Sequence, residues 1–137
     1  MPTSPNKPGS RRPALSSLLA VAAGGLVGSA ARAGMGLWIP HPSSGFPTTI
    51  AAINLAGSFL LGLYLARRER SVTKPASLHF WAIGMLGAFT TFSTFSIDLL
   101  TLLIEGEGPL AIGYLTVSVV GGLVSAIAGQ RLGAAIP

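Results

Sequence analysis

The sequence predicts an all-α integral membrane protein with four transmembrane helices and a break in the third. Three observations predict this fold class. Only 9% of the 137 residues are charged and 50% are apolar, whereas soluble domains carry about a quarter charged residues. Four apolar runs each approach or exceed the roughly 20 residues that a helix needs to cross a bilayer. The third run also contains a dense cluster of hydroxyl side chains.

The four predicted helices follow one another along the chain, with short polar segments between them. They cover about 14–39, 48–66, 78–104 and 110–128. The separating segments are proline-rich over 40–47, arginine-rich over 67–75 and rich in Glu and Gly over 105–109, as loops commonly are. We therefore expect one four-helix membrane domain over 14–131, a disordered basic tail over 1–13 and a short tail over 132–137.

The start of the chain allows a second interpretation. Ser10-Arg11-Arg12, the apolar run after it and Ala31-Arg32-Ala33 together resemble a twin-arginine signal peptide with a small-residue cleavage site. Cleavage there would leave three spans. An arginine inside the cleavage motif is unusual, and three further hydrophobic spans make a retained first helix more natural, so we favour four spans.

Small residues recur at four-residue spacing within three of the predicted spans. The pairs are Gly25 and Ser29, Ser58 and Gly62, and Ser118 and Gly122. Small side chains at this spacing let two helix backbones approach closely in lipid, where packing drives helix association. The pattern predicts tight contacts among the spans, and it favours contact with a second subunit.

Polar side chains inside a membrane are costly, so they are the best candidates for function. Arg32 lies near the end of the first span and Asn54 near the start of the second. The fourth span contributes Tyr114 and Ser118, among others. The sequence shows no nucleophile with a matching base, and the spacing of its two histidines does not suit a metal site. We therefore expect that the protein is not an enzyme.

The middle of the third span is the most informative segment of the chain. Five of the seven residues over 90–96 carry hydroxyls, and Gly84 and Gly87 precede them. Back-bonding to the preceding turn accounts for one or two such hydroxyls, but not for five. The cluster therefore predicts a locally broken helix, whose freed carbonyls would form a natural cation site. Phe92 and Phe95 share one helix face, a spacing that lipid contact or core packing also explains.

The segment Gly87-Ala88-Phe89-Thr90-Thr91-Phe92-Ser93-Thr94-Phe95-Ser96 closely resembles the signature of the Fluc fluoride channels, also called CrcB proteins. Residues 24–32 and 54–62 resemble the same family, and the fourth span matches more loosely. The resemblance implies a fluoride-selective channel of the cell membrane that exports fluoride from the cytoplasm and lowers its toxicity. It also implies an antiparallel dimer with two fluoride pathways.

The resemblance assigns roles by position. The residues that it places on or beside the fluoride pathway are Asn54, Phe92, Ser93, Thr94, Phe95, Tyr114 and Ser118. The backbone carbonyls of Gly87 and Thr90 would bind a structural sodium ion shared by both subunits, and Arg32 would lie near a vestibule. Asp98 stands where the family often has Glu, so its role is left open. Gly122 stands where some members carry a serine.

The basic residues are distributed unevenly between the two ends of the predicted spans. Eight lysines and arginines lie in the N-terminal tail, the second linker and the C-terminal end, and the opposite loops contain none. The positive-inside rule then places the N-terminus in the cytoplasm. We expect the protein itself to lie in the inner or plasma membrane. A chain with this bias inserts one way, so we favour a heteromeric pair with an oppositely biased partner. A homodimer is the alternative.

Two other functions are open at this stage. A small four-helix multidrug exporter is also antiparallel, but it needs an embedded Glu in its first helix, and Asp98 is the only acidic residue within a predicted span here. A membrane subunit that only holds a complex together would need neither Asn54 nor the hydroxyl cluster. We favour the fluoride channel over both.

Overall fold

The computed structural model describes residues 14–39, 45–70 and 75–136, and every regular element in them is helical. The first span is helix α1 (Leu15–Trp38) and the second is helix α2 (Thr48–Glu69). The third span covers Pro75–Ile104 and the fourth covers Gly108–Ala135. All four are long and apolar enough to cross a membrane. The four predicted spans are therefore confirmed within the described residues.

The third and fourth spans are each made of several helical pieces. The third contains α3 (Pro75–Leu78), a π-helical stretch (His79–Leu86), α4 (Gly87–Phe89) and α5 (Phe92–Ile104). The fourth contains α6 (Gly108–Thr116), a second π-helical stretch (Val117–Gly121) and α7 (Gly122–Ala135). π-Helical turns are rare overall, and those that do occur often lie at functional sites.

The turn between the third and fourth spans follows from its sequence. Gly106 has φ +80°, a left-handed conformation that glycine adopts at little cost. Pro109 then lies in the first turn of α6, where its missing N–H has no helical partner to lose. The helix of the fourth span continues to Ala135, which includes the first residues of the segment expected as a tail over 132–137.

The spans pack in two close pairs. The first span lies against the π-helical stretch of the third, and α2 lies against α7. A Cβ on Gly28 would overlap the Met85 carbonyl, and a Cβ on Gly62 would overlap the Ala126 carbonyl. The predicted close approach through small residues is therefore observed. In the first span, however, Gly24 and Gly28 make the contact, whereas Gly25 faces open space.

Most of each span is uncovered in a single chain. In the most apolar stretch of each span, 11–33% of the residues are buried. The buried core is small and surrounds the middle of the third span, where Phe89, Phe95 and Tyr114 pack with Ile50 and Ile53. The large apolar surface outside this core fits a protein surrounded by lipid. The N-terminal tail over 1–13 lies outside the described residues.

Candidate functional site

The third span is broken at Thr90 and Thr91, as its sequence predicts. Thr90 has ψ 160° and Thr91 has φ −143° and ψ 123°, so both residues are extended between α4 and α5. The break lies next to the buried core. Its backbone groups must therefore find partners other than the usual helical ones.

Asn54 on α2 supplies two of these partners. Its Nδ2 donates to the Thr91 carbonyl at 2.9 Å, and the Thr91 N–H donates to its Oδ1 at 2.9 Å. A continuous helix would direct the Thr91 N–H to the Gly87 carbonyl four residues earlier. Because Asn54 takes this N–H, the Gly87 carbonyl loses its helical partner.

The hydroxyl of Thr91 likewise takes away the helical partner of the Thr90 carbonyl. Thr91 is the N-cap of α5, and its Oγ1 accepts from the Thr94 N–H at 3.2 Å. In a continuous helix that N–H would bond to the Thr90 carbonyl. The same oxygen donates to Thr94 Oγ1 at 3.0 Å and lies 3.3 Å from Ser93 Oγ. Two side chains, Asn54 and Thr91, thus release the carbonyls of Gly87 and Thr90, the two that the family resemblance assigns to a sodium ion.

The five hydroxyls of residues 90–96 divide into two groups. Thr90 and Ser96 bond back to the carbonyl four residues earlier, at 2.9 Å in each case. This is the local use of Ser and Thr that occurs in any membrane helix. The other three hydroxyls, on Thr91, Ser93 and Thr94, form a cluster with one another at the start of α5.

Arg32 reaches the break from the first span. Its Nη1 donates to the Thr90 carbonyl at 3.4 Å, and the residue is partly buried. The sequence places Arg32 near the end of a span, and the resemblance places it near a vestibule. The structure brings its positive charge to one of the two released carbonyls.

An open cavity of about 240 Å³ lies beside the break, and we call it the break cavity. Gly87 and Thr90 line it from the third span, and Asn54, Gly57 and Ser58 line it from α2. A Cβ on Gly57 would overlap the Thr90 methyl group, so a larger residue there would displace the break. The two released carbonyls therefore belong to residues that line one common space.

Aromatic rings form a row from the break into the core. The Phe92 and Phe95 centroids are 5.8 Å apart, and the Phe95 and Tyr114 centroids are 5.2 Å apart. Phe46 meets Tyr114 edge-on at 5.5 Å. Phe92 and Phe95 do lie side by side, but their exposures differ, at 80% for Phe92 and 9% for Phe95. One ring faces outward and the other is part of the core.

Tyr114 connects the fourth span to the third. It is fully buried, and its hydroxyl donates to Asp98 Oδ2 at 3.2 Å. Ser118 lies one turn later, and among the described residues its Oγ is one of the few buried polar atoms without a hydrogen-bond partner. A buried hydroxyl of this kind is an available donor.

Sequence reasoning missed three features of this site. Thr91 counted only as one of five hydroxyls, although a threonine before an apolar helix is a recognisable N-cap signal. The bond between Asp98 and Tyr114 joins residues from two spans, and the edge-on contact of Phe46 comes from the segment before α2. Neither contact has a signal in the local sequence.

The fold and the site together define a multi-pass helical membrane protein with a polar break inside one span. Irregular backbone at such a position is tolerated where it is buried in protein or lines an aqueous cavity, and transporters and channels use it to bind ions.

Comparison with known proteins identifies the family. The family model "CrcB-like protein, Camphor Resistance (CrcB)" matches residues 19–130, which include parts of all four spans. The chain belongs to this family. Several curated relatives carry the name fluoride-specific ion channel FluC. The relative from Deinococcus radiodurans is 48% identical over 116 residues, which cover 83% of this chain and 92% of the relative.

Two further relatives agree with this assignment. The FluC protein of Thermus thermophilus is 41% identical over 119 residues, covering 86% of this chain and 94% of the relative. That of Paracoccus denitrificans is 42% identical over 118 residues, covering 84% and 92%. These relatives are named as ion channels, so the prediction that the chain is not an enzyme is confirmed.

Proposed function

We propose that this protein is a subunit of a fluoride-selective channel that lets fluoride leave the cytoplasm and so lowers its toxicity. One observation carries the proposal: a break in the third span, held open by Asn54, lies beside a cluster of hydroxyls and the exposed ring of Phe92. The relatives named as fluoride-specific channels support the same function.

The chemistry of the site suits a small anion. A pore must replace the hydration shell of the ion with donors that bind it weakly enough to let it leave. Ser93, Thr94 and Ser118 carry hydroxyl donors, and Asn54 has a second N–H beyond the one that it gives to Thr91. The edges of phenyl rings are electropositive, so Phe92 and Phe95 would contact an anion at a narrow, dry point.

The pathway requires a second subunit, and the family resemblance implies that its orientation is antiparallel. Phe92 is 80% exposed and the break cavity is open, so one chain forms only one wall of a pathway. A second copy or a related chain would cover both features. The two interfaces of such a pair would provide two pathways.

A structural sodium ion is part of this proposal. The residues fit such an ion, because Gly87 and Thr90 carry the two released carbonyls and line one cavity. Sodium prefers oxygen ligands of this kind. Two subunits would supply four carbonyl oxygens, and the second lone pair of the Thr90 oxygen leaves room for both Arg32 and the ion. Replacing sodium with a large organic cation on both sides of the membrane should reduce fluoride flux.

The charge distribution supports a cytoplasmic N-terminus. Gly133 packs against Leu63 and Ala66, so the C-terminal ends of the second and fourth spans lie on the same side, with Arg67 and Arg131 near them. Because the basic residues lie on this side, the chain should insert in one orientation only. An antiparallel pair would then need a different, oppositely biased chain, so we favour a heteromeric pair over a homodimer. Mapping the accessibility of single cysteines in the chain expressed alone tests this directly. Equal populations of both orientations would contradict the heteromer and favour the homodimer.

Fluoride efflux from liposomes, followed with a fluoride electrode, tests the function. The reconstituted channel should release fluoride without a proton gradient and retain chloride. Phe92→Ile removes the exposed ring, and Asn54→Asp places a negative charge beside the path, so both should abolish most of the flux. Phe59→Ile on α2 is the matched control and should keep it. Efflux that requires a proton gradient would indicate an exporter. Absence of efflux, both from this chain alone and from this chain reconstituted with an oppositely oriented partner, would indicate a structural subunit.

A further inference from the structure

A second groove lies between α2 and the third span, and its lining is almost entirely apolar. Its volume is about 260 Å³. Leu60 and Leu63 line it from α2, and Trp81, Met85 and Leu86 line it from the π-helical stretch. Leu60 is 38% exposed and Trp81 is 46% exposed, so the groove opens to the outside of the chain. We call it the Arg67 groove, after the one charged residue among the described residues that line it.

One end of the Arg67 groove is polar and basic. Arg67 lines the groove there, and Arg68 and Arg70 follow at the end of α2. At the same end, the Tyr64 hydroxyl shares a hydrogen bond of 3.0 Å with Ser77 Oγ, which joins the second span to the start of the third. Tyrosine, tryptophan and arginine near the end of a span are typical of the membrane–water interface.

The groove is short enough to fit within one leaflet of a bilayer. Leu60 and Arg67 are seven positions apart on α2, which corresponds to about 10 Å along the helix. One half of the hydrocarbon core is roughly 15 Å thick. An acyl chain that enters from the basic end would therefore lie along Leu63 and Leu60 and stop near Met85.

The Arg67 groove and the break cavity meet at Leu86, which lines both, but they lie on different sides of α2. Leu61 and Ser58 line the break cavity, whereas Leu60 and Leu63 line the groove, and adjacent residues point about 100° apart on a helix. A second subunit can therefore cover the break cavity without filling the groove.

We propose that the Arg67 groove binds one anionic phospholipid, with an acyl chain in the apolar part and the phosphate paired with Arg67. Arginine and phosphate form charge-assisted, bidentate hydrogen bonds. Basic pockets between transmembrane helices are suited to anionic head groups. Of the three arginines described at this end of α2, only Arg67 lines the groove.

Fluorescence quenching of Trp81 tests the proposal. The chain has two tryptophans, so a Trp38→Phe background leaves Trp81 as the only one. This protein is reconstituted into phosphatidylcholine vesicles that contain a small fraction of brominated phosphatidylglycerol or brominated phosphatidylcholine. Bromine on the acyl chain quenches a nearby indole. The brominated anionic lipid should quench about fivefold more effectively per molecule, the preference that one interfacial arginine contributes.

Two variants separate the groove from the basic end as a whole. Arg67→Gln should lower the preference for the anionic lipid to near parity, whereas Arg70→Gln, which removes a charge outside the groove, should leave most of it. Equal quenching of the Trp38→Phe protein by the two lipids would overturn the proposal, and so would equal losses in both variants. Absence of quenching by either lipid would overturn it as well, because the second subunit would then fill the groove.

Discussion

The break in the third span depends on one side chain more than on any other. Asn54 makes two hydrogen bonds of 2.9 Å to the backbone of Thr91, one as donor and one as acceptor. Replacing Asn54 with alanine removes both bonds. The Thr91 N–H would then be free to return to the Gly87 carbonyl, which is its partner in a continuous helix.

The magnitude follows from the two backbone groups that lose a partner. Each buried group left unpaired costs about 1–3 kcal/mol. The broken form of Asn54→Ala is therefore destabilised by about 2–6 kcal/mol relative to a continuous helix. Even the lower value changes the equilibrium constant between the broken and the continuous form by roughly 30-fold. We expect a clear loss of fluoride flux, which at this lower value is at most about 30-fold.

Fluoride efflux from liposomes measures this loss, with equal amounts of reconstituted protein. The matched control is Ser58→Ala, because Ser58 lines the same cavity from the next turn of α2. Efflux of Ser58→Ala should stay within a few-fold of the unmodified channel. Efflux of Asn54→Ala near that of the unmodified channel would show that Asn54 does not hold the break open. An equal loss in Ser58→Ala would show that the loss does not come from the two bonds to Thr91.

Three further predictions address packing, capping and the buried carboxylate. Gly28→Val should reduce the monodisperse fraction on size-exclusion chromatography, because its side chain would overlap the third-span backbone, whereas Gly25→Val faces open space and should not. Thr91→Val should slow fluoride efflux and Thr91→Ser should retain it, because only the hydroxyl caps the following helix, a cap worth about 1 kcal/mol. Tyr114→Phe should lower the free energy of unfolding by about 1–3 kcal/mol in a reversible assay, because Asp98 loses a buried donor. An unchanged value for Tyr114→Phe would show that this bond adds nothing to stability.

Much of the fold was predictable from the sequence, because the bilayer limits what an apolar run can become. Runs near or above 20 apolar residues become spans, and the described spans end within or next to the three polar segments. The break was predictable for a related reason. Five hydroxyls in seven residues exceed what back-bonding absorbs, and in the structure back-bonding absorbs those of Thr90 and Ser96.

The packing register was not predictable. Gly25 has the spacing of a helix-packing residue, but the contact falls on Gly24 and Gly28. Adjacent residues of a helix point about 100° apart. The local pattern of small residues does not show which of these two directions faces the neighbouring span. Only the position of the neighbouring span decides which glycine is covered.

The use of polar side chains in the site also depends on tertiary contacts. The sequence singled out Asn54 as a costly polar residue in a span, but its bonds go to a backbone 37 positions away. Phe92 and Phe95 share a helix face, yet only Phe95 is covered, because Tyr114 of the fourth span packs on it. Both facts require the positions of helices that are distant along the chain.

Selective conduction of fluoride is measured by the reversal potential in a planar bilayer, with fluoride on one side, chloride on the other and sodium on both. We expect a potential that shifts with fluoride concentration and is insensitive to chloride and to the sodium concentration. A potential that follows chloride or sodium would show that the protein does not conduct fluoride selectively.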